Sequence, residues 1–420
     1  VVPTRPSTTV RRAPGNRRLR LGLVGAAALL LAPVLAACKP TPTKDAFYRD
    51  PVKLTGTSPG QVIRSRTSTF TVDPAFNTPT PAVKAWQVVY RSNDALGRAD
   101  AVSGTVLVPK LPWVGLGSRP VVGFAVGTRG LGDHCAPSYT LATGTDYEGA
   151  FVAGLLARGF AVVVTDYEGL GMPGDHTYVV GRSEGRALLD GVRAAQRLAG
   201  TGLSAKSPVG LMGYSQGGGG SAWAAQLAPT YAPELSIKGV VAGGVPADLQ
   251  EVARFEDGGP VAAFTLMAAM GLDSAYPELD LERYLNAKGR ALLTESGQTC
   301  LVTANGVETL FKTAFRKRSE WTTSDPLATP AWQARLTENR LGATAPKAPV
   351  YQFHGLADEM VPYGQAATLR RTWCDKGANV TWSPVLGEHV TTLVNEYSNA
   401  ATWLQARFNG LPAIGNCLLP

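Results

Sequence analysis

Residues 209–228 constrain the fold more than any other stretch of the chain. Val209-Gly210-Leu211-Met212 is an apolar run too short for a helix, and it enters Gly213-Tyr214-Ser215-Gln216-Gly217. Small residues with helical character then continue to Ala228. A serine set between a buried strand and a helix, with a glycine two residues away on each side, sits on a sharp turn in which flanking side chains would clash. The positive end of the following helix lies beside its hydroxyl. This makes Ser215 a candidate nucleophile.

The rest of the chain extends the same alternation. Residues 86–91 and 103–108 are β-rich and read as an antiparallel pair joined by a polar turn at Ser92-Asn93-Asp94. Short apolar runs at 121–126, 161–165 and 240–242 join 209–212 as buried central strands. Residues 182–199 carry an apolar stripe of Leu188, Leu189, Val192, Ala195 and Leu198, which predicts a helix. From 246 to 346 the strand pattern stops and helix-like sequence takes over, including 261–270. Strands return at 350–354 and 380–383, each followed by a helix. The expected fold class is α/β: a mostly parallel central sheet flanked by helices, with a helical cap inserted before the last two strands. The domain reading assigns 61–245 and 347–420 to the core and 246–346 to the cap.

The formal charge of +8 suggests nucleic acid until it is located along the chain. Arg5, Arg11, Arg12, Arg17, Arg18 and Arg20 lie in residues 1–37, which hold no acid, so the remainder carries only +2. No basic patch for nucleic acid is left. Those arginines precede the apolar run 21–37 in the arrangement of an export signal. Asn16-Arg17-Arg18-Leu19-Arg20-Leu21 also faintly resembles a twin-arginine signal. Leu35-Ala36-Ala37-Cys38 resembles a lipobox, which implies lipidation at Cys38 and a membrane anchor. Residues 38–60 are then expected to form an extended tether, on an exported, surface-held or secreted monomer. Four cysteines remain: Cys135, Cys300, Cys374 and Cys417. An even number in an oxidising compartment predicts two disulfides, of which counting alone allows three pairings. A metal site is a poor alternative, because only His134 stands beside a cysteine.

A serine hydroxyl needs a base to take its proton and a carboxylate to orient that base. Of four histidines, His354 and His389 follow Ser215. His389, in Gly387-Glu388-His389-Val390, lies after the last strand and before the last helix and is the candidate base. His354, at a strand end, is expected to be structural. Asp358 is the candidate acid in the loop after 350–354, with Glu359 as its rival; Glu388 is expected to point elsewhere. The backbone N–H groups of Gln216 and Thr128 are the candidate oxyanion donors. Asp166 and Glu168, acids in a glycine-rich loop, are expected to be structural.

Several segments together resemble the secretory lipase family: Asp133-His134-Cys135-Ala136-Pro137-Ser138-Tyr139, Asp166-Tyr167-Glu168-Gly169, residues 184–194, the Ser215 turn, Tyr231-Ala232-Pro233-Glu234-Leu235 and His354-Gly355-Leu356-Ala357-Asp358. The likeness spans about 86–404. It implies an α/β-hydrolase with a helical cap, acting on carboxylic esters including triacylglycerols, with no metal or cofactor. It also implies that Cys135 pairs with Cys300 and Cys374 with Cys417. The chain departs from the resemblance at Thr128-Arg129, where fungal members carry an acid. The cap run 261–270 could serve as an acyl tunnel or as ordinary cap core. The expected function is exported ester hydrolysis through Ser215, Asp358 and His389 and an acyl-enzyme, as a lipase or carboxylesterase. The rivals are an acyltransferase or peptidase on the same scaffold and a non-catalytic lipid-binding envelope lipoprotein.

Overall fold

The computed structural model describes residues 40–72 and 79–418; the signal run 1–37 and Cys38 lie outside them. Nine strands form one sheet: β1 (Val62–Ser68), β2 (Val83–Asn93), β3 (Ala99–Pro109), β4 (Val121–Ala125), β5 (Ala161–Thr165), β6 (Val209–Tyr214), β7 (Ile237–Gly243), β8 (Val350–Gly355) and β9 (Val380–Val385). Their order across the sheet is β1-β2-β3-β5-β4-β6-β7-β8-β9. The first three strands and β5 pair antiparallel, and every pair from β5 through β4 to β9 is parallel. Every residue of β4, β5, β6 and β8 is buried, which is why these runs are almost uniformly apolar and show no alternation.

Helices cover both faces. Gly181–Arg197 packs on β2, β4 and β5 and against the helix Gln216–Tyr231, while His389–Phe408 packs on β7 and β8. Between β7 and β8 the described residues form helices and irregular chain, with one isolated bridge inside the segment, Leu285↔Thr322, and another, Gly130↔Cys300, to the sheet unit. This helical insertion has its own core of Leu249, Met267, Leu272, Tyr276, Trp332 and Leu336, onto which Tyr178, Val179 and Val180 of the sheet unit pack. Among the described residues no helix is long and apolar enough to cross a membrane.

Three details differ from expectation. The hairpin turn lies at Asp94–Gly97 rather than at Ser92-Asn93-Asp94. Ser92 and Asn93 stay in the ladder, and Asp94 closes the turn by accepting from the backbone N–H groups of Leu96 and Arg98. The strand β1 precedes the first strand that the sequence pattern predicts. The tether expected over 38–60 is folded from Pro42 onward: Asp45 pairs with Arg66 at 2.6 Å, and Tyr48 is fully buried with its hydroxyl 2.8 Å from that of Ser138. A chain segment that buries a tyrosine cannot act as a free spacer.

Candidate active site

The parallel strands deliver their C-terminal ends to one edge of the sheet, and the loops leaving that edge hold the candidate residues, as is general for open α/β sheets. Ser215 follows β6 directly, with φ +59° and ψ −123°. A non-glycine residue held there stores about 1–3 kcal/mol of strain. The neighbouring glycines allow it. A Cβ on Gly217 would lie 2.0 Å from the Ala125 carbonyl oxygen, and one on Gly213 would lie 2.2 Å from that of Gly217. The turn is locked by the Ser215 N–H donating to Gly243 O at 3.0 Å and by the Gly219 N–H donating to Ser215 O at 3.0 Å.

His389 opens the last helix, whose N-terminus is capped by Glu388 accepting from the N–H groups of Val390 and Thr391. That capping role turns Glu388 away from the imidazole. His389 Nε2 lies 2.9 Å from Ser215 Oγ, and Nδ1 lies 2.7 Å from Asp358 Oδ2. With Nδ1–H donating to the carboxylate, Nε2 is free to accept from the serine hydroxyl. Tyr214 fixes the ring's position by donating from its hydroxyl to His389 O at 2.7 Å.

Asp358 Oδ1 accepts from the N–H groups of Met360 and Val361 at 3.0 and 2.7 Å. Burial would raise its pKa, but the hydrogen bond and charge of His389, the charge of His354 and the Val361 N–H together hold it below the usual carboxylate range. Glu359 faces another way, accepting from the His389 N–H at 3.1 Å. His354 is buried with Nε2 donating to Val361 O at 2.8 Å, which braces the Asp358 loop.

A cleft of about 50 Å³ opens over Ser215, and Thr128 and Gln216 line it. Among the described residues neither the Thr128 nor the Gln216 backbone N–H has a protein acceptor. Gln216 is held by its side chain, whose Nε2 donates to Glu184 Oε1 at 2.7 Å and lies 3.2 Å from His176 Nε2. Thr128 follows β4 in a turn clamped from residues 146–148. Glu148 Oε2 accepts from the Gly127 N–H at 3.0 Å, Tyr147 donates to Thr128 O at 2.9 Å, and Arg129 pairs with Asp146 and Glu148 at 2.9 and 2.7 Å.

A model of the family described as "Secretory lipase" matches residues 134–416. A secreted triacylglycerol lipase of Malassezia furfur is 31% identical over 91% of this chain and 82% of its own. The chain belongs to the secretory lipase family. A Mycobacterium tuberculosis relative whose name reads "Probable inactive lipase" is 32% identical over 88% of this chain and 83% of its own. The crystal structure of Candida antarctica lipase A in its closed state shares the fold with a TM-score of 0.80 and 29% identity, over 91% of this chain and 90% of that one. This secretory lipase is a carboxylic ester hydrolase.

The family member's sheet unit and insertion are joined close to the site. Cys135 is bonded to Cys300 and Cys374 to Cys417. Beside the first bond, Leu131 N–H donates to Thr299 O and Leu301 N–H to Arg129 O. His134 lies near both sulfurs of the first pair, but these are bonded to each other and offer no thiolate to an ion. Asp166 turns inward to Ser103 and Ser138, and Glu168 to Thr177 and Ser183. The 146–148 clamp escaped the sequence reading. A signal was present, since Asp146-Tyr147-Glu148-Gly149 repeats Asp166-Tyr167-Glu168-Gly169 letter for letter.

Proposed function

We propose that this protein hydrolyses lipid esters, triacylglycerols among them, by acyl transfer through Ser215. His389 takes the hydroxyl proton as Ser215 attacks the ester carbonyl, and Asp358 orients the ring and stabilises its charged form. The N–H groups of Gln216 and Thr128 bind the developing oxyanion, with the dipole of the helix Gln216–Tyr231 behind the first of them. The alcohol leaves with the proton from His389, and water then releases the fatty acid by the same route. Residues 246–346 act as a cap over the ester.

The observation that carries this reading is the continuous relay from Ser215 Oγ through His389 to Asp358 Oδ2, with hydrogen bonds of 2.9 and 2.7 Å, at the foot of the cleft. One relative is named a probable inactive lipase, so the chain's own residues have to supply the argument, and all three are present and in reach. A lipid-binding protein without turnover would have no use for a serine held at a strained φ. The test is labelling by a fluorophosphonate followed by peptide mapping. The adduct is expected on Ser215 alone; an adduct on another serine, or none at all, contradicts the reading.

The protein is also proposed to be exported and held at a membrane through lipidated Cys38, on the strength of Leu35-Ala36-Ala37-Cys38. Two or more acyl chains anchor stably where one does not. In a detergent phase-partition assay the wild type should enter the detergent phase and Cys38→Ala should stay in the aqueous phase. Aqueous partition of both removes the anchor.

A further inference from the structure

The cleft holds a carboxyl that the ester chemistry leaves without a task. Glu256 caps the C-terminus of the helix Leu249–Phe255, is 3% exposed, and lines the cleft with Ser215, Thr128 and Gln216. Its Oε2 accepts from Thr265 Oγ1 at 2.9 Å. Among the described residues Oε1 has no hydrogen-bond partner and no cation pairs with the group. An acid so buried is ordinarily paired. The groups that act on it electrostatically include Asp358, and its own charge is felt by the Tyr178 hydroxyl. Burial pushes its carboxyl up to about 8, Thr265 opposing and Asp358 reinforcing the shift. Near neutral pH it is therefore an acid with a proton to donate.

Its position gives that proton a use. A second cavity of about 50 Å³ lies within the insertion, with walls that include Leu266, Leu272 and Trp332. It shares Leu249, Ala253, Thr265 and Ala268 with the cleft, so Thr265 borders both spaces and Glu256, on the cleft side, is hydrogen-bonded to it. A plain alkyl chain running from Ser215 into the apolar cavity would strip water from the carboxyl and return nothing.

We propose that Glu256 and Thr265 form a polar filter between the two cavities, selecting esters whose acyl chain presents a hydroxyl or carbonyl oxygen at that point over saturated chains that cross it. This rests on the reading of Ser215 as the acylated residue. A site that leaves a buried polar group unpaired with the wrong substrate discriminates against it on the order of tenfold or more.

The test compares kcat/KM for p-nitrophenyl esters of saturated chains from acetate to palmitate with chains of equal length carrying one hydroxyl at successive carbons. Wild type should favour one hydroxyl position over the saturated partner by about tenfold. Glu256→Gln, which keeps a donor and an acceptor, should retain the preference. Glu256→Leu should erase it and raise the palmitate-to-acetate ratio. Thr265→Val, which takes away the carboxyl's partner, should enlarge the preference, and it carries the test should the leucine variant not fold. A wild type indifferent to every hydroxyl position, or two variants that shift the preference in the same direction, overturns the filter. Failure of wild type to cleave even the acetate ester counts instead against Ser215.

Discussion

Asp358 and Glu359 are neighbours in sequence and face different atoms. The aspartate meets the imidazole Nδ1, whereas the glutamate meets only the backbone N–H of the same histidine. Asp358→Asn should lower kcat by about three to four orders of magnitude, because an amide in that place stabilises the wrong tautomer. Glu359→Gln keeps an acceptor for the N–H and should cost less than about tenfold. Steady-state kinetics of the two variants checks this, and a dead Glu359→Gln beside an active Asp358→Asn would reverse the assignment. Ser215, Asp358 and His389 could be singled out because each follows a strand within a few residues, where side-chain type and spacing carry the signal. Glu256 and Glu148 could not. A glutamate at a helix end reads as a solvated charge, and only the tertiary structure buries it.

Between elements, the insertion is stitched to the sheet unit at the turn that carries Thr128. The Cys135–Cys300 bond closes a separation of 165 residues, and two backbone hydrogen bonds flank it. In the chain-entropy model a crosslink over so long a loop stabilises by roughly 5 kcal/mol. The Cys135→Ser/Cys300→Ser double variant should therefore unfold at a markedly lower denaturant midpoint, and an unchanged midpoint would contradict that role. At this scale the all-buried strands and the Ser215 turn were readable, because central parallel strands and glycine-flanked turns allow few residue types. β1 was missed because Arg64, Ser65 and Arg66 interrupt it and its residues are at most half-buried, as an edge strand permits. The segment 42–49 reads as a tether because its short polar composition hides the anchors, Tyr48 and the Asp45–Arg66 pair, that hold it onto the sheet.

The whole molecule carries its acids unevenly, and this shapes its response to pH. Burial lifts Glu184 to about 8 against opposing hydrogen bonds from Gln216 and Val179, and Glu256 also to about 8. The folded chain keeps protons that the unfolded chain releases from the ordinary value near 4.5 upward. Stability should therefore fall as pH rises through the window from about 4.5 to 8 and level off above it. Glu184→Gln, which still accepts from Gln216, should raise Tm at pH 8–9 and leave it near wild type at pH 5. A thermal-melt series across that range tests the sign, and equal gains at both ends would contradict it. The central claim, that ester hydrolysis runs through the Ser215–His389–Asp358 relay, is tested most directly by kcat of Ser215→Ala on a soluble p-nitrophenyl ester. The expected result is a folded protein, judged by its melting curve, with kcat lower by about four to six orders of magnitude. A folded variant that keeps a tenth or more of wild-type turnover would contradict the account.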